Sequence, residues 1–447
     1  MQLRCLIILL LCSNKLLAQD ALIQSIIQAP VVRQPVYRIQ KQAAIFTQTL
    51  RCDYASPTII HTDTAIALDS AQVLSVDLVF TDYPAHLDLK QLNTQRLRNL
   101  FATYPQLKNN KTINWQLVRQ TDGAEKPAAQ QLFHGFVLYY RPLQTKEAMK
   151  ADSSKLSDML RPKPTVHIKH SGFLATDTTR LREMYEIEPY TILKKMPVKE
   201  ALAYLDMDAK LIAKYPGIDS ILVYEKPLAN NTETIFQRTP PEDSTVIKVL
   251  DRMRWQRMLV VADVTASMYP YTGQLLLWLQ MNEEERRIHQ FVFFNDGDNK
   301  EEADKQPGST GGIYTTASSE FENVEKLLYQ TMRNGTGGAI PENNIEALLY
   351  GITACPDCQE VVMIADNHSG VSDIQLLPQL KKPVHIIVCG VLNKINPAYL
   401  DIARSTGGSV HLAETDIQNL VALKEGETVT LFNTVYKVVK GRFELVK

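Results

Sequence analysis

The chain has 447 residues, too many for one ordinary hydrophobic core and suited to two or three domains. Its 48 Lys and Arg nearly balance 49 Asp and Glu, leaving a formal net charge of −1, and 45% of the residues are apolar. That composition describes a folded soluble protein, and no basic surplus points to nucleic acid or to an anionic membrane surface.

At the N-terminus MQLR carries a positive charge, CLIILLLC is a short unbroken apolar run, and SNKLLAQD is polar with small Ala18 in it. This is the layout of a secretory signal peptide over residues 1–18, cut after Ala18. The apolar run is much shorter than the roughly 20 residues that span a bilayer, and no later segment has that length. The expected place of work is the periplasm, the outer-membrane surface or the extracellular space, with no transmembrane span. A lipoprotein would use Cys12, but Leu11 stands where a small residue is expected.

Residues 20–140 read as an α+β domain. Short strand-like runs (AIALDS, VLSVDLVF, INWQLVRQ, FHGFVLYY) surround one helix, DLKQLNTQRLRNLFATY, with Leu92, Leu97, Leu100 and Phe101 at helical spacing. Residues 141–226 read as a polar connection holding a short helix, then a helix over 198–215 and the strand SILVYEK. NNTET and TPPEDST mark 227–250 as a linker. From Trp255 apolar strands alternate with amphipathic helices: MLVVAD, HQFVFFND, GGIYTT, EVVMIAD, VHIIVCG and SVHL, with helices predicted at TGQLLLWLQMNEEERR, FENVEKLLYQTM, PENNIEALLYGI, SDIQLLPQL, NPAYLDIARSTGG and DIQNLVAL. This alternation predicts an α/β fold over 254–425, a doubly wound, mostly parallel sheet covered on both faces and preceded by the separate α+β region. Residues 426–447 read as a small β-appendage.

Beyond the signal, Cys52, Cys355, Cys358 and Cys389 remain, an even number for a disulfide-permissive compartment. Cys355 and Cys358 in ACPDCQE leave three readings open: a local disulfide, free or otherwise paired thiols, or a metal site. Zinc would need two further ligands, and no second CxxC or HxxxH is present.

Ligands of open α/β sheets bind beyond the carboxyl ends of the strands. Asp263 ends MLVVAD, Asp366 ends VVMIAD, and Thr265 and Ser267 follow Asp263 at two-residue steps. Such an oxygen-only set suits a hard cation such as Mg²⁺, with waters completing the shell. The bland alternative is that acids at strand ends cap helices or face solvent.

DVTAS (263–267) resembles the DxSxS-type motif of von Willebrand factor A domains. NGTGGAIPENNIEALL (334–349), EVVMIAD (360–366) and YLDIARSTGGSVHLA (399–413) are similar to later segments of that family, in the same order. The resemblance covers about residues 254–425 and implies a doubly wound ligand-binding module with a metal-ion-dependent adhesion site. By resemblance Asp263, Thr265, Ser267 and Asp366 would hold Mg²⁺ (or Mn²⁺ or Ca²⁺), whose open position takes a carboxylate from a protein partner. One departure is Ala339, which stands where a subgroup with GGD-x-PE carries an acid; Thr336, three residues earlier, is the substitute. The N-terminal part resembles segments of uncharacterised secreted bacterial proteins, which adds no mechanism.

The expected function is therefore protein binding, in adhesion or assembly, by a secreted or envelope-associated bacterial protein that is not an enzyme. One alternative is a Mg²⁺-dependent haloacid-dehalogenase-like phosphatase with Asp263 as nucleophile and Asp366 and Asp373 on the metal. Such enzymes carry an acid two residues after the nucleophile, where this chain has Thr265. The other alternative is a metal-free structural assembly component. His134, in an apolar strand, reads as a structural histidine, and His167 and His170 fall on opposite faces of a strand. The acidic loop FNDGDNKEEAD, with Asp296 and Asp298, lacks calcium-loop spacing and reads as a solvated loop.

Overall fold

The structure is a computed structural model that describes residues 21–60, 71–84, 87–108, 110, 113–142, 146–161, 163–168, 171–176, 192–226, 232–237, 243–265, 268–298, 300–335, 342–432 and 434–446. The signal-peptide reading of 1–18 lies outside them. The described residues up to Ser157 and from Asp243 onward form one compact unit, and Asp158–Thr239 forms another.

In the first unit α1 (21–27) leads into a six-stranded sheet. Its strands are β1 (Val31–Gln34), β2 (Phe46–Cys52), β3 (Ile59–Ile60), β4 (Ala71–Thr81), β5 (Asn114–Gln120) and β6 (Gly135–Pro142), in the order β1-β5-β4-β6-β2-β3. β1, β5 and β4 run parallel, and β4, β6, β2 and β3 alternate in direction. Alternation along the strands gives this sheet two different faces. On one, Val76, Leu78, Phe136 and Leu138 pack with Ile23 and Ile26 of α1 and with Leu97, Leu100 and Phe101 of α2 (Leu89–Thr103). Asp88 caps α2 by accepting from the Lys90 and Gln91 amides. The other face presents Asp77, Val137, Tyr139 and Arg141, all buried. Helices α3 (Lys126–Gln131) and α4 (Lys146–Leu160) follow strands β5 and β6.

The second unit pairs β7 (Lys163–Ile168) with β11 (Thr232–Gln237) and holds a three-stranded antiparallel sheet. That sheet consists of β8 (Ser171–Ala175), β9 (Ile192–Pro197) and β10 (Ser220–Lys226), and helix α5 (Val198–Tyr204) packs its Val198, Ala201 and Leu202 with Ile221 and Val223. The predicted helix over 198–215 breaks after Tyr204, because Asp206 turns left-handed (φ 53°) and Asp208 caps a separate 3-10 turn, Ala209–Lys214. The stretch read as a linker over 227–250 contains β11 and the start of α6 (Thr245–Met253). TETIFQ becomes a strand because β7, 64 to 74 positions away, offers a partner edge.

The remainder of the first unit is built on seven strands: β12 (Met258–Asp263), β13 (Ile288–Phe294), β14 (Ile313–Thr316), β15 (Glu360–Asp366), β16 (Val384–Cys389), β17 (Ser409–His411) and β18 (Asp416–Ile417). Their order is β14-β13-β12-β15-β16-β17-β18, with β13 to β17 parallel and an antiparallel strand at each edge. Every residue of β12 is buried, as a sheet covered on both faces requires. Helices α7 (Tyr269–Met281), α8 (Phe321–Asn334), α9 (Asn344–Ala354) and α10 (Pro397–Thr406) join these strands. Two predicted helices are shorter and tighter: IQLLPQ is a 3-10 turn with Pro378 inside it, and DIQNLVAL splits into β18 and a 3-10 turn, Leu420–Ala422. The C-terminal hairpins β19 (Thr428–Leu431), β20 (Thr434–Val439) and β21 (Arg442–Leu445) add Tyr436, Val438 and Phe443 to the core. Cys355 and Cys358 form a disulfide with Cα atoms 5.4 Å apart, and Cys52 and Cys389 are buried thiols.

Candidate binding site at the carboxyl edge of the parallel sheet

The chain leaves β12 toward β13 on one side and later returns to β15 on the other, so the strand order reverses at β12. In doubly wound sheets the crevice for ligands opens at that reversal, outside the carboxyl ends. Asp263 ends β12 there and Asp366 ends the adjacent β15, with Ala262 paired to Ile364. Thr265 follows Asp263 in the same loop. Ser267, Thr336 and Ala339 lie outside the described residues.

Asp263 is fully buried. Its Oδ1 accepts from the Thr265 amide (2.8 Å) and hydroxyl (2.7 Å), whereas its Oδ2 has no hydrogen-bond partner among the described residues. Burial pushes its carboxyl up to about 7, against the two Thr265 hydrogen bonds that favour the anion. Two acids that the sequence reading did not assign to the site share this edge. Glu342, in the IPEN segment, is 4% exposed and its Oε2 is also without a partner among the described residues. Burial, followed by the fields of Asp263, Asp296 and Asp366, raises its carboxyl well above the usual range. Asp296, after β13, is 2% exposed and accepts from Lys305 Nζ at 2.6 Å. The start of the loop expected to be solvated is therefore anchored inward, whereas Lys300, Glu301, Ala303 and Asp304 are exposed as expected. Asp296, Gly297 and Asp298 all take left-handed backbone, and Asp298 accepts from Asn295 Nδ2 and Tyr314 Oη. Gly312 closes against this turn, where a Cβ would stand 2.0 Å from Asn295 Oδ1.

Asp366 behaves differently. Arg141, from β6 of the N-terminal sheet, grips it in a forked pair: Nη1 donates to Oδ2, and Nη2 donates to Oδ1 at 3.1 Å. The His368 amide also donates to Oδ1 (3.0 Å), and the Ser369 hydroxyl to Oδ2 (3.3 Å). Burial alone would push the Asp366 carboxyl up, but the Arg141 guanidinium outweighs it and holds the carboxyl at about 2. Gly390, at φ 70°, backs onto the fork, where a Cβ would lie 3.2 Å from Arg141 Nη2. The neighbouring loop completes the junction. Leu392 packs on Val137 and Tyr139, Gln40 Nε2 donates to Asn393 Oδ1 (2.9 Å), and Gln42 Nε2 donates to the Val391 carbonyl (3.0 Å).

Other residues singled out from the sequence serve local structure. Asp373 accepts from the Ile345 (3.1 Å) and Glu346 (2.6 Å) amides at the start of α9. His134 bonds Thr81 Oγ1 through Nε2 and the Leu132 carbonyl through Nδ1. The side chain of His167 and all of His170 lie outside the described residues.

As a seat for a divalent ion the edge divides in two. The orphaned oxygens of Asp263 and Glu342 fit a cation, whereas Asp366 already has its oxygens engaged. Among the described residues no three His, Cys, Asp or Glu side chains stand together so as to hold a metal ion. Compared with protein-family models, curated proteins and solved structures, the chain matches none.

Proposed function

We propose that this chain is a secreted or envelope-associated binding protein that engages a protein partner through the carboxyl edge of its C-terminal sheet. The observation that carries this reading is that Asp263, Asp296, Glu342 and Asp366 are all buried near the strand reversal, with Asp263 Oδ2 and Glu342 Oε2 left unpartnered among the described residues. Unpaired buried acids are costly to keep, and such groups at a strand reversal accord with a ligand rather than with core packing. By the resemblance to von Willebrand factor A domains, Asp263 and Thr265, with Ser267 and Thr336, would hold Mg²⁺, and the ion when bound would offer a coordination position to a partner carboxylate. What Asp263 and Thr265 do by themselves is hold a buried carboxyl with one oxygen fixed by the Thr265 amide and hydroxyl, pushed by burial toward its neutral form until a cation favours the anion.

A metal-free assembly role is the second reading, and the Arg141–Asp366 pair favours it, because that pair supplies positive charge from within the chain. The phosphatase reading has less support, since Asp373, its second metal ligand, is committed to the start of α9. The test is capture from cell-envelope extracts by the full chain and by Asp263→Ala, each with and without EDTA. A partner retained by the wild type and lost by Asp263→Ala supports the reading, and EDTA sensitivity separates the metal-bridged form from the metal-free one. Equal capture by both proteins would overturn it.

A further inference from the structure

A carboxylate offers about four lone-pair positions, two on each oxygen. On Asp366 all four are taken: Arg141 Nη2 and the His368 amide on Oδ1, Arg141 Nη1 and the Ser369 hydroxyl on Oδ2. A metal ion could reach this carboxylate directly only by displacing one of those donors. The amide is fixed in the loop backbone and the Ser369 hydroxyl, at 3.3 Å, is neutral, so the donor that a divalent ion would replace charge for charge is the guanidinium, which comes from another sheet.

The fold prepares this contact from both sides. Val137, Tyr139 and Arg141 occupy alternate positions of β6 and share the face turned to the 390–393 loop. Gly390 leaves the space in which Nη2 lies, and Asn393 reaches Asp77 on neighbouring β4. Arg141 is 6% exposed, and a buried forked pair of this kind combines charge with fixed geometry. We propose that Arg141 is the resident cation of the carboxyl-edge site, seated on Asp366 in place of a divalent metal, so that the chain's own N-terminal sheet closes the site until Arg141 leaves. This rests on the reading of the edge as a cation site.

The proposal is tested by titrating Mn²⁺ into the full wild-type chain and into Arg141→Gln, followed by calorimetry and by the thermal midpoint. The expected result is at least tenfold tighter Mn²⁺ binding by Arg141→Gln, lost again in Arg141→Gln/Asp366→Asn. Should Arg141→Gln fail to fold, Arg141→Lys keeps the charge but cannot fork. It is expected to show a larger Mn²⁺-dependent rise in thermal midpoint than the wild type, and an equal rise in both would overturn the proposal. Equal Mn²⁺ binding by wild type and Arg141→Gln, abolished by Asp263→Ala, would also overturn it while leaving the cation-site reading intact. No binding by any folded variant would overturn both.

Discussion

His411 is fully buried at the amino edge of the parallel sheet, opposite the carboxylate cluster. Glu360, His385, Ser409, His411 and Asp416 form one continuous chain there, with links of 3.1, 2.7, 2.6 and 2.8 Å. Trp255 packs against both imidazoles, tilted on His385 and edge-on to His411, whose ring centroids lie 6.2 Å apart. Burial lowers both histidines below 6.5, against the pull of Glu360 and Asp416. A depressed histidine is neutral in the fold and takes up its proton first in the unfolded chain. Its contribution is therefore complete above about 6.5 and is lost as pH falls toward the folded value. Denaturant midpoints measured between pH 7.5 and 5 should fall with pH, and His411→Gln should flatten that slope. An unchanged slope would show that the relay does not titrate. That Asp263 and Asp366 end adjacent apolar strands, with Thr265 two residues after the first, is legible in the sequence because an acid closing an apolar run is a local pattern. Glu342 stands within the IPEN segment, but the motif directs attention to position 339, and only burial shows that the Glu342 side chain turns inward. Arg141 ends a run, GFVLYYRP, that reads equally as a strand leaving the core for solvent.

At the scale of elements, α9 shows how a site acid suggested by sequence becomes a structural cap. Its first amides point at Asp373, which is fully buried and lies nearly thirty positions downstream. Neither Asn343 nor Asn344 caps this helix through its side chain, so Asp373 supplies what the local sequence lacks. Asp373→Ala should lower stability by about 1 kcal/mol, up to about 2, as measured by urea unfolding. No loss would mean that water replaces the carboxylate at those amides. The elements that sequence periodicity located well are the long ones with a single apolar face, α2 and α8, and the continuous apolar strands β12, β13 and β15. Short segments depart from their periodicity where a local breaker or a distant partner decides: Pro378 inside a predicted helix, Asp206 in a left-handed bend, and TETIFQ paired with a distant edge.

At the scale of the whole first unit, the N-terminal sheet is a cover as well as a fold of its own, since one face carries α1 and α2 and the other closes over the 390–393 loop. Leu392, 6% exposed, fills the apolar part of that junction between Val137 and Tyr139. Leu392→Ala should cost about 2 kcal/mol or more and speed amide exchange in β6. A large loss of stability with β6 still protected would show that Leu392 matters only to its own loop. What the sequence by itself determined is the regime of local periodicity: strands alternating with helices after Trp255, an α+β pattern before it, and two acids placed where parallel strands stop. Each of these needs only neighbours within a turn or a strand. What the tertiary structure decided is which charges meet. Arg141 and Asp366 stand 225 positions apart, and no periodicity links them. Their pairing follows from how the face of β6 settles on the end of β15, and that packing places a guanidinium where the local motif alone had suggested a metal.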